Sequence, residues 1–316
     1  MRRAQPTDRI LILADMEGII GVSDLSNIVD NSESMLAQLK DTIAILNSFN
    51  YKQISICIVH DNDPQVAMSI ASEEVYVLPS ISDLIDKPQE FSFAIMIGFH
   101  GMRNSEGTFS HTFRNDIIGF YFGAVEMGEV GAFARWLESE CIPVVFISGE
   151  GCFSDEVVAL RHVTIHTVST MLHRSASHWY RQQVFQYCTS LEDSLREWQV
   201  KSQKNYTKLQ DEIVRVFVDN KDKYRILKRE PYFFNTDGDK FIFKSLYDFF
   251  SNLIRFCNAL NCSITTIRNE NLELFKIVKQ ITRVHDLLPM DIVKKPIDLV
   301  TEDDRWIISK IAGIRL

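Results

Sequence analysis

The chain has 316 residues, of which 46% are hydrophobic and 24% charged, material for a full core that excludes a disordered, collagen-like or disulfide-stapled mini-protein. Asp and Glu outnumber Lys and Arg by 42 to 34, so a net charge of −8 offers no field to gather nucleic acid or an anionic membrane. The longest apolar runs, such as residues 91–99, fall far short of the roughly 20 residues a bilayer-spanning helix needs.

In chain order, the first residues carry charge but no apolar stretch of the kind a secretory signal requires, so a cytoplasmic protein is expected. Residues 10–14, 54–59, 93–98 and 144–147 are almost continuously apolar, the pattern of strands buried on both faces of a parallel sheet. Between the first two, Met35, Leu36, Leu39, Ile43, Leu46 and Phe49 recur on helical spacing, which predicts a helix over residues 34–49. Residues 117–122 and 125–127 form a hairpin pattern, and 129–140 a further helix. Beyond residue 160 the pattern turns to longer amphipathic helices: one over 175–199, which the periodicity allows to run on to 218, and one over 246–260. Residues 240–243 add a strand, and 272–283 and 305–311 two more helices. The fold class is therefore α/β, a mostly parallel sheet with flanking helices, followed by a helix-rich C-terminal part. Six scattered cysteines, Cys57, Cys141, Cys152, Cys188, Cys257 and Cys262, form no C-x-x-C pair and read as buried, reduced thiols.

Open parallel sheets place ligands beyond the carboxyl ends of their strands. Here the four strands run out into Asp15-Met16-Glu17-Gly18, His60-Asp61-Asn62-Asp63, His100 and Ser148-Gly149-Glu150-Gly151. Asp15 and Glu17 are two apart in extended backbone, so both carboxylates face one side. Held close, they repel unless a proton or a cation lies between them, and the His100 imidazole favours a metal. Carboxylates with one or two histidines suit Zn²⁺ or a similar first-row ion, and paired ions about 3.5–4 Å apart are usual in hydrolytic sites. Singly, each residue has a plainer use: Asp15 and Glu17 as caps or a ribose site, Asp61 to Asp63 as turn residues before Pro64, Glu129 as a first-turn acid. Their convergence carries the inference. His111 follows His100 by eleven residues across a glycine-containing loop, a length that can fold back over a metal site and would then place it as general acid, general base or nucleophile, the plainer alternative being a surface-loop histidine with no role.

Three motifs, Asp15-Met16-Glu17-Gly18, Gly98-Phe99-His100 with Ser110-His111, and Val125-Glu126-Met127-Gly128-Glu129-Val130-Gly131, resemble those of the zinc D-aminopeptidases of the dipeptide-transport-operon type. These are self-compartmentalising metallopeptidases that release N-terminal D-amino acids. The resemblance implies a dinuclear zinc site with Asp15 bridging both ions, Glu17, His100 and Glu129 as further ligands, and His111 as the catalytic histidine. One position departs from it. Where the family has Asn-Asp-Ser-His after its second strand, this chain has His60-Asp61-Asn62-Asp63, so Asp63 takes the place of an imidazole ligand and the choice between Zn²⁺ and Mn²⁺ shifts. His60, three residues upstream, is the alternative nitrogen, against the register. Weaker similarity runs through 163–176 and 241–260, with a shortened stretch near 230–239.

The resemblance thus divides the chain into an α/β metal-binding domain over 1–165, a helical part completing the family fold over 166–262, and an added extension over 263–316. It implies an aminopeptidase with two zinc ions per chain, Mn²⁺ being the alternative, that acts on a short peptide or amide as a ring-like homo-oligomer, with no nucleic-acid or membrane partner. Two other readings stay open: an amidohydrolase tailoring a non-standard peptide-like metabolite, and a non-catalytic homologue that retains the fold.

Overall fold

A computed structural model describes residues 8–22, 28–157, 164–168, 176–201, 212–219, 236–237 and 240–261. The first apolar runs become strands β1 (Arg9–Ala14), β2 (Gln53–Ile58), β3 (Val75–Val77) and β4 (Phe93–Phe99). A hairpin of β5 (Ile117–Phe122) and β6 (Val125–Glu126) then precedes β7 (Val144–Glu150) and β8 (Thr164–Val168). Six of these, all parallel, make one sheet in the order β3-β2-β1-β4-β7-β8. Every residue of β4 and β7 is buried, as expected of strands covered on both faces. Strand β3 is only three residues long and β8 carries Thr and His among its apolar positions, so neither stands out from the sequence as an extended apolar run.

Helix α1 (Ile28–Ser48) starts six residues earlier than its apolar spacing suggests. It ends where Asn50 takes a left-handed backbone, φ 66°, with the Tyr51 amide donating to the Leu46 carbonyl and the Asn50 amide to that of Asn47. This satisfies carbonyls that the last turn would otherwise leave unpaired. Met35, Leu39 and Leu46 of α1 share a buried cluster with Ile10, Ile12 and Ala14 of β1 and Phe93, Ile95 and Ile97 of β4. Short helices α2 (Gln65–Met68) and α3 (Ile81–Asp86) follow β2 and β3. On β4, the Phe99 ring meets Phe133 of α4 (Glu129–Ser139), their centroids 6.1 Å apart. A single-turn helix α5 (Ser154–Val157) follows β7, and α6 (Ala176–Lys201) sends Tyr187, Leu191 and Leu195 into the same cluster as α1.

The sequence pattern allowed the helix at 175–199 to continue to 218. Instead, Val214–Val218 is strand β9. Val-Arg-Val-Phe-Val alternates, and its backbone groups are satisfied by β5 on one side and β11 (Lys240–Phe243) on the other, with β10 (Thr236–Asp237) beyond. The result is a second, antiparallel sheet in the order β10-β11-β9-β5-β6, covered by α7 (Leu246–Asn261) through contacts of Phe249 with Phe120 and Phe243. The part expected to be helix-rich therefore also supplies three strands.

Met1–Asp219 and Asn235–Ile254 form one compact unit. Residues 220–234 and 255–316 form a second, whose described residues are the end of α7 at 255–261. The helices expected at 272–283 and 305–311, the extension over 263–316 and nearly all of the stretch near 230–239 lie outside the described residues.

Candidate metal centre

The order of the parallel sheet creates one crevice at a defined place. From β1 the chain steps to β2 and β3 on one side, then crosses back to β4, β7 and β8 on the other, so the strand order reverses between β1 and β4. Ligands of open α/β sheets bind beyond the carboxyl ends of the strands at such a reversal. Asp15 and Glu17 leave the end of β1 there, and His100 leaves β4.

The two strand ends are held unusually close. The Asp15 amide donates to the Ile97 carbonyl (2.9 Å) and the Gly18 amide to that of Gly98 (2.7 Å). A Cβ at Gly18 would run into the Phe99 carbonyl oxygen, and one at Gly98, where φ is +76°, into that of Asp15. Only glycine permits this approach. The Met16 amide then donates to both flanking carboxylates, Asp15 Oδ1 at 2.9 Å and Glu17 Oε2 at 3.2 Å, which turns both acids to the same side.

Each remaining side chain is brought in by a different device. Beyond β2 the chain makes a tight turn over His60–Asn62 in which Asp61 adopts φ 48°. His60 thereby points its Nδ1 at Glu17 Oε2 (2.9 Å) and Asp15 Oδ1 (3.6 Å). Asp63 is carried out of the crevice: it is exposed, and its Oδ1 accepts the Gln65 amide at 2.9 Å. Of the two residues weighed after β2, the one facing Asp15 and Glu17 is therefore the His60 imidazole, beside the left-handed Asp61. His100 is 1% exposed, and its Nδ1 lies 2.9 Å from the Gly101 carbonyl. A carbonyl only accepts, so Nδ1 carries a proton, and Nε2, the nitrogen left for a cation, faces Asp15 Oδ2 (3.5 Å) and Glu129 Oε1 (3.4 Å). Glu129 opens α4 and is buried, with its Oε1 accepting the Phe113 amide (2.6 Å). Phe113, at φ 56°, is a bulky residue in a left-handed conformation, held there by rings of Phe120, Phe133, Phe249 and Phe250. His111 is half-buried and stacks on His100 with centroids 4.1 Å apart. Its Nδ1 sits 2.8 Å from the Phe109 carbonyl, leaving Nε2 free to face Glu129 Oε1 at 3.5 Å.

Two triads of potential ligand atoms result, Asp15 with Glu17 and His60, and Asp15 with His100 and Glu129, each within 4.8 Å and sharing Asp15, whose two oxygens face opposite ways. Glu17, His100 and His111 satisfy the same criterion. Burial, then the Glu17 charge, pushes the Asp15 carboxyl well above the usual carboxylate range. Burial would lower the His60 imidazole, but hydrogen bonds to Asp15 and Glu17 and their charges prevail and raise it to about 11. His100 is likewise raised against burial, chiefly by Glu129 and then Asp15. Burial would raise Glu17, yet His60 and Asp15 hold it far below its ordinary value. These shifts share one meaning: the carboxylates seek positive charge. Asp15 Oδ2 and His100 Nε2 are buried without a hydrogen-bond partner while they face one another, two polar atoms that a cation between them would satisfy. The donor set, carboxylate oxygens with imidazole nitrogens, fits zinc or manganese.

The fourth strand end behaves differently. The Glu150 carboxylate accepts the Thr108 amide and lies 3.6 Å from Cys152 Sγ, outside both triads. Sequence reasoning placed Asp15, Glu17, His100, Glu129 and His111 around this crevice, and they are found together. It held His60 only as an alternative to Asp63, though His60 has the same strand-end position that points to Asp15, Glu17 and His100.

A family profile described as D-aminopeptidase, peptidase family M55, matches residues 9–225, more than half of the chain. Among solved structures, one is described as the Zn-dependent D-aminopeptidase DppA from Bacillus subtilis, a self-compartmentalizing protease. It is similar at a TM-score of 0.65 and 17% identity, over 81% of this chain and 99% of that one. At that identity the likeness speaks for the fold. None of the curated proteins compared with the sequence matches it.

Proposed function

The chain belongs to the D-aminopeptidase family of peptidases, and from that premise we propose that it releases N-terminal D-amino acids from short peptides at a two-metal site. Asp15, Glu17 and His60 would hold one ion and Asp15, His100 and Glu129 the other, zinc in both places or manganese in its stead. The observation that carries this reading is the pair of triads sharing Asp15 at the reversal of the sheet. Ions held there supply activation of a water nucleophile and polarisation of the scissile carbonyl.

The chain's own residues do the rest. Asp15 and Glu17 are oriented by one amide, so neither must reorganise to take up a cation. The Gly101 carbonyl fixes the His100 tautomer, leaving Nε2 as the donor nitrogen. His111 has its Nδ1 committed to the Phe109 carbonyl, so Nε2 is the nitrogen that takes a proton and passes it to the departing amine. A homo-oligomer in the cytoplasm completes the proposal; the similar solved structure is of a self-compartmentalizing protease.

The test is metal analysis and turnover of the wild type and His111→Ala on D- and L-aminoacyl amides. The variant is expected to keep both ions and lose about 10²–10⁴-fold in kcat, the usual worth of a proton-transfer group. Loss of metal together with activity would assign His111 to the ligand set. Wild-type protein that binds no metal, or cleaves no aminoacyl amide when loaded, would overturn the reading.

A further inference from the structure

Two acids, Glu150 at the end of β7 and Glu156 on α5, bind backbone beside the centre without belonging to either triad. Glu156, on α5, accepts the Met102 amide at Oε1 (2.8 Å) and the Gly128 amide at Oε2 (2.5 Å). Met102 is two residues past His100, and Gly128 immediately precedes Glu129. One carboxylate thus spans the two backbone segments that carry His100 and Glu129, two members of the second triad. No side chain fits between them: a Cβ at Gly128 would come within 2.7 Å of Met102 Cβ and 2.8 Å of Glu156 Oε2. Glu150, buried at the end of β7, accepts the Thr108 amide, three residues before His111. A Cβ at Gly107 would strike the Glu150 carboxylate, so the loop lies directly on it. Within the loop, Ser105 Oγ donates to the Met102 carbonyl (2.8 Å) and pairs with Ser110 Oγ (2.8 Å), closing its stem.

We propose that Glu150 and Glu156 are positioning residues with separate duties: Glu156 sets the distance between His100 and Glu129, and Glu150 seats the loop that carries His111. The inference rests on the metal-site reading above and adds the acids that orient it. A carboxylate is required at Glu156 because both bonds need acceptors. Glutamine offers one oxygen and one NH₂, and the latter would meet an N–H donor head-on. At Glu150 the hydrogen bond holds the Thr108 amide, on the His111 arm of the loop, and Glu150 belongs to neither triad, so its loss is expected to act on His111.

The experiment compares wild type, Glu156→Gln and Glu150→Ala by amide hydrogen exchange of the metal-free proteins, zinc competition against a chromophoric chelator, and steady-state kinetics. In wild type, the Met102, Thr108 and Gly128 amides should be protected; exchange at the rate of free loop amides overturns the proposal without any variant. Glu156→Gln should expose Met102 and Gly128 and weaken zinc binding 10–100-fold, the usual cost of removing a group that orients metal ligands. Glu150→Ala, which removes the acceptor outright, should expose Thr108, keep zinc affinity within about threefold, and lower kcat at least tenfold with little change in KM. A merely structural role would lower Tm in both and move affinity and kcat by the same factor; that outcome overturns the division of duties. Wild type that binds no zinc would sink the metal-site reading, while the exchange data would still decide whether these acids hold the loops.

Discussion

At the residue scale the sharpest issue is which side chain after β2 serves the centre. His60 Nδ1 lies 2.9 Å from Glu17, whereas Asp63 is exposed and engaged with the Gln65 amide. His60→Ala should therefore reduce bound metal from two equivalents to one, and Asp63→Ala should leave two, as read by elemental analysis of dialysed protein. Equal loss in both variants would return Asp63 to the ligand set. The sequence could not decide this, because the outcome depends on a single backbone torsion at Asp61, a non-glycine residue in left-handed conformation. Asp15, Glu17 and His100 were legible because the pattern of apolar runs already located the strand ends, and acids or imidazoles there are conspicuous. Glu129 was legible only through motif resemblance, and for His111 the loop length allowed a place over the site that the resemblance then singled out.

At the element scale, what positions the site is the tight approach of β1 and β4. Gly98→Ala would force a Cβ toward the Asp15 carbonyl and the Ile19 side chain at a φ of +76°. The left-handed backbone alone costs about 1–2 kcal/mol for an L-residue, and the crowding adds to it. The expected result is a drop in unfolding free energy of at least that size in denaturant titration, with weakened metal binding because the strand ends separate. Unchanged stability would mean that the two ends can move apart freely. Strand β9 shows the opposite limit of sequence reading. Its five residues follow a long amphipathic helix, and alternation over so short a stretch is compatible with either structure until β5 and β11 supply ladder partners.

For the whole molecule, charge and metal are coupled. In the metal-free protein the His60 imidazole, raised to about 11, stabilises the fold fully below its unfolded value of about 6.5, and that contribution is lost as pH climbs toward 11. Metal uptake must displace this proton and the one on His100, so binding strengthens as pH rises. The gap in Tm between metal-loaded and chelator-stripped protein should therefore widen from pH 6 to pH 9, which differential scanning calorimetry would read. A gap that narrows would mean the imidazoles are not displaced. Saturation at 100 times Kd adds about 2.7 kcal/mol per site. Among the described residues no helix is long and apolar enough to cross a membrane. The sequence by itself determined the α/β class, the core strands and the chemistry at their ends, because burial on both faces and the periodicity of a helix are local properties written residue by residue. Only the tertiary structure decided that β1 and β4 stand side by side at the reversal of the sheet, that Asp15 faces two triads, and that His60 rather than Asp63 turns inward. Those facts depend on strand order and single torsions, which bring together groups as much as 114 residues apart, from Asp15 to Glu129, and no local pattern encodes them.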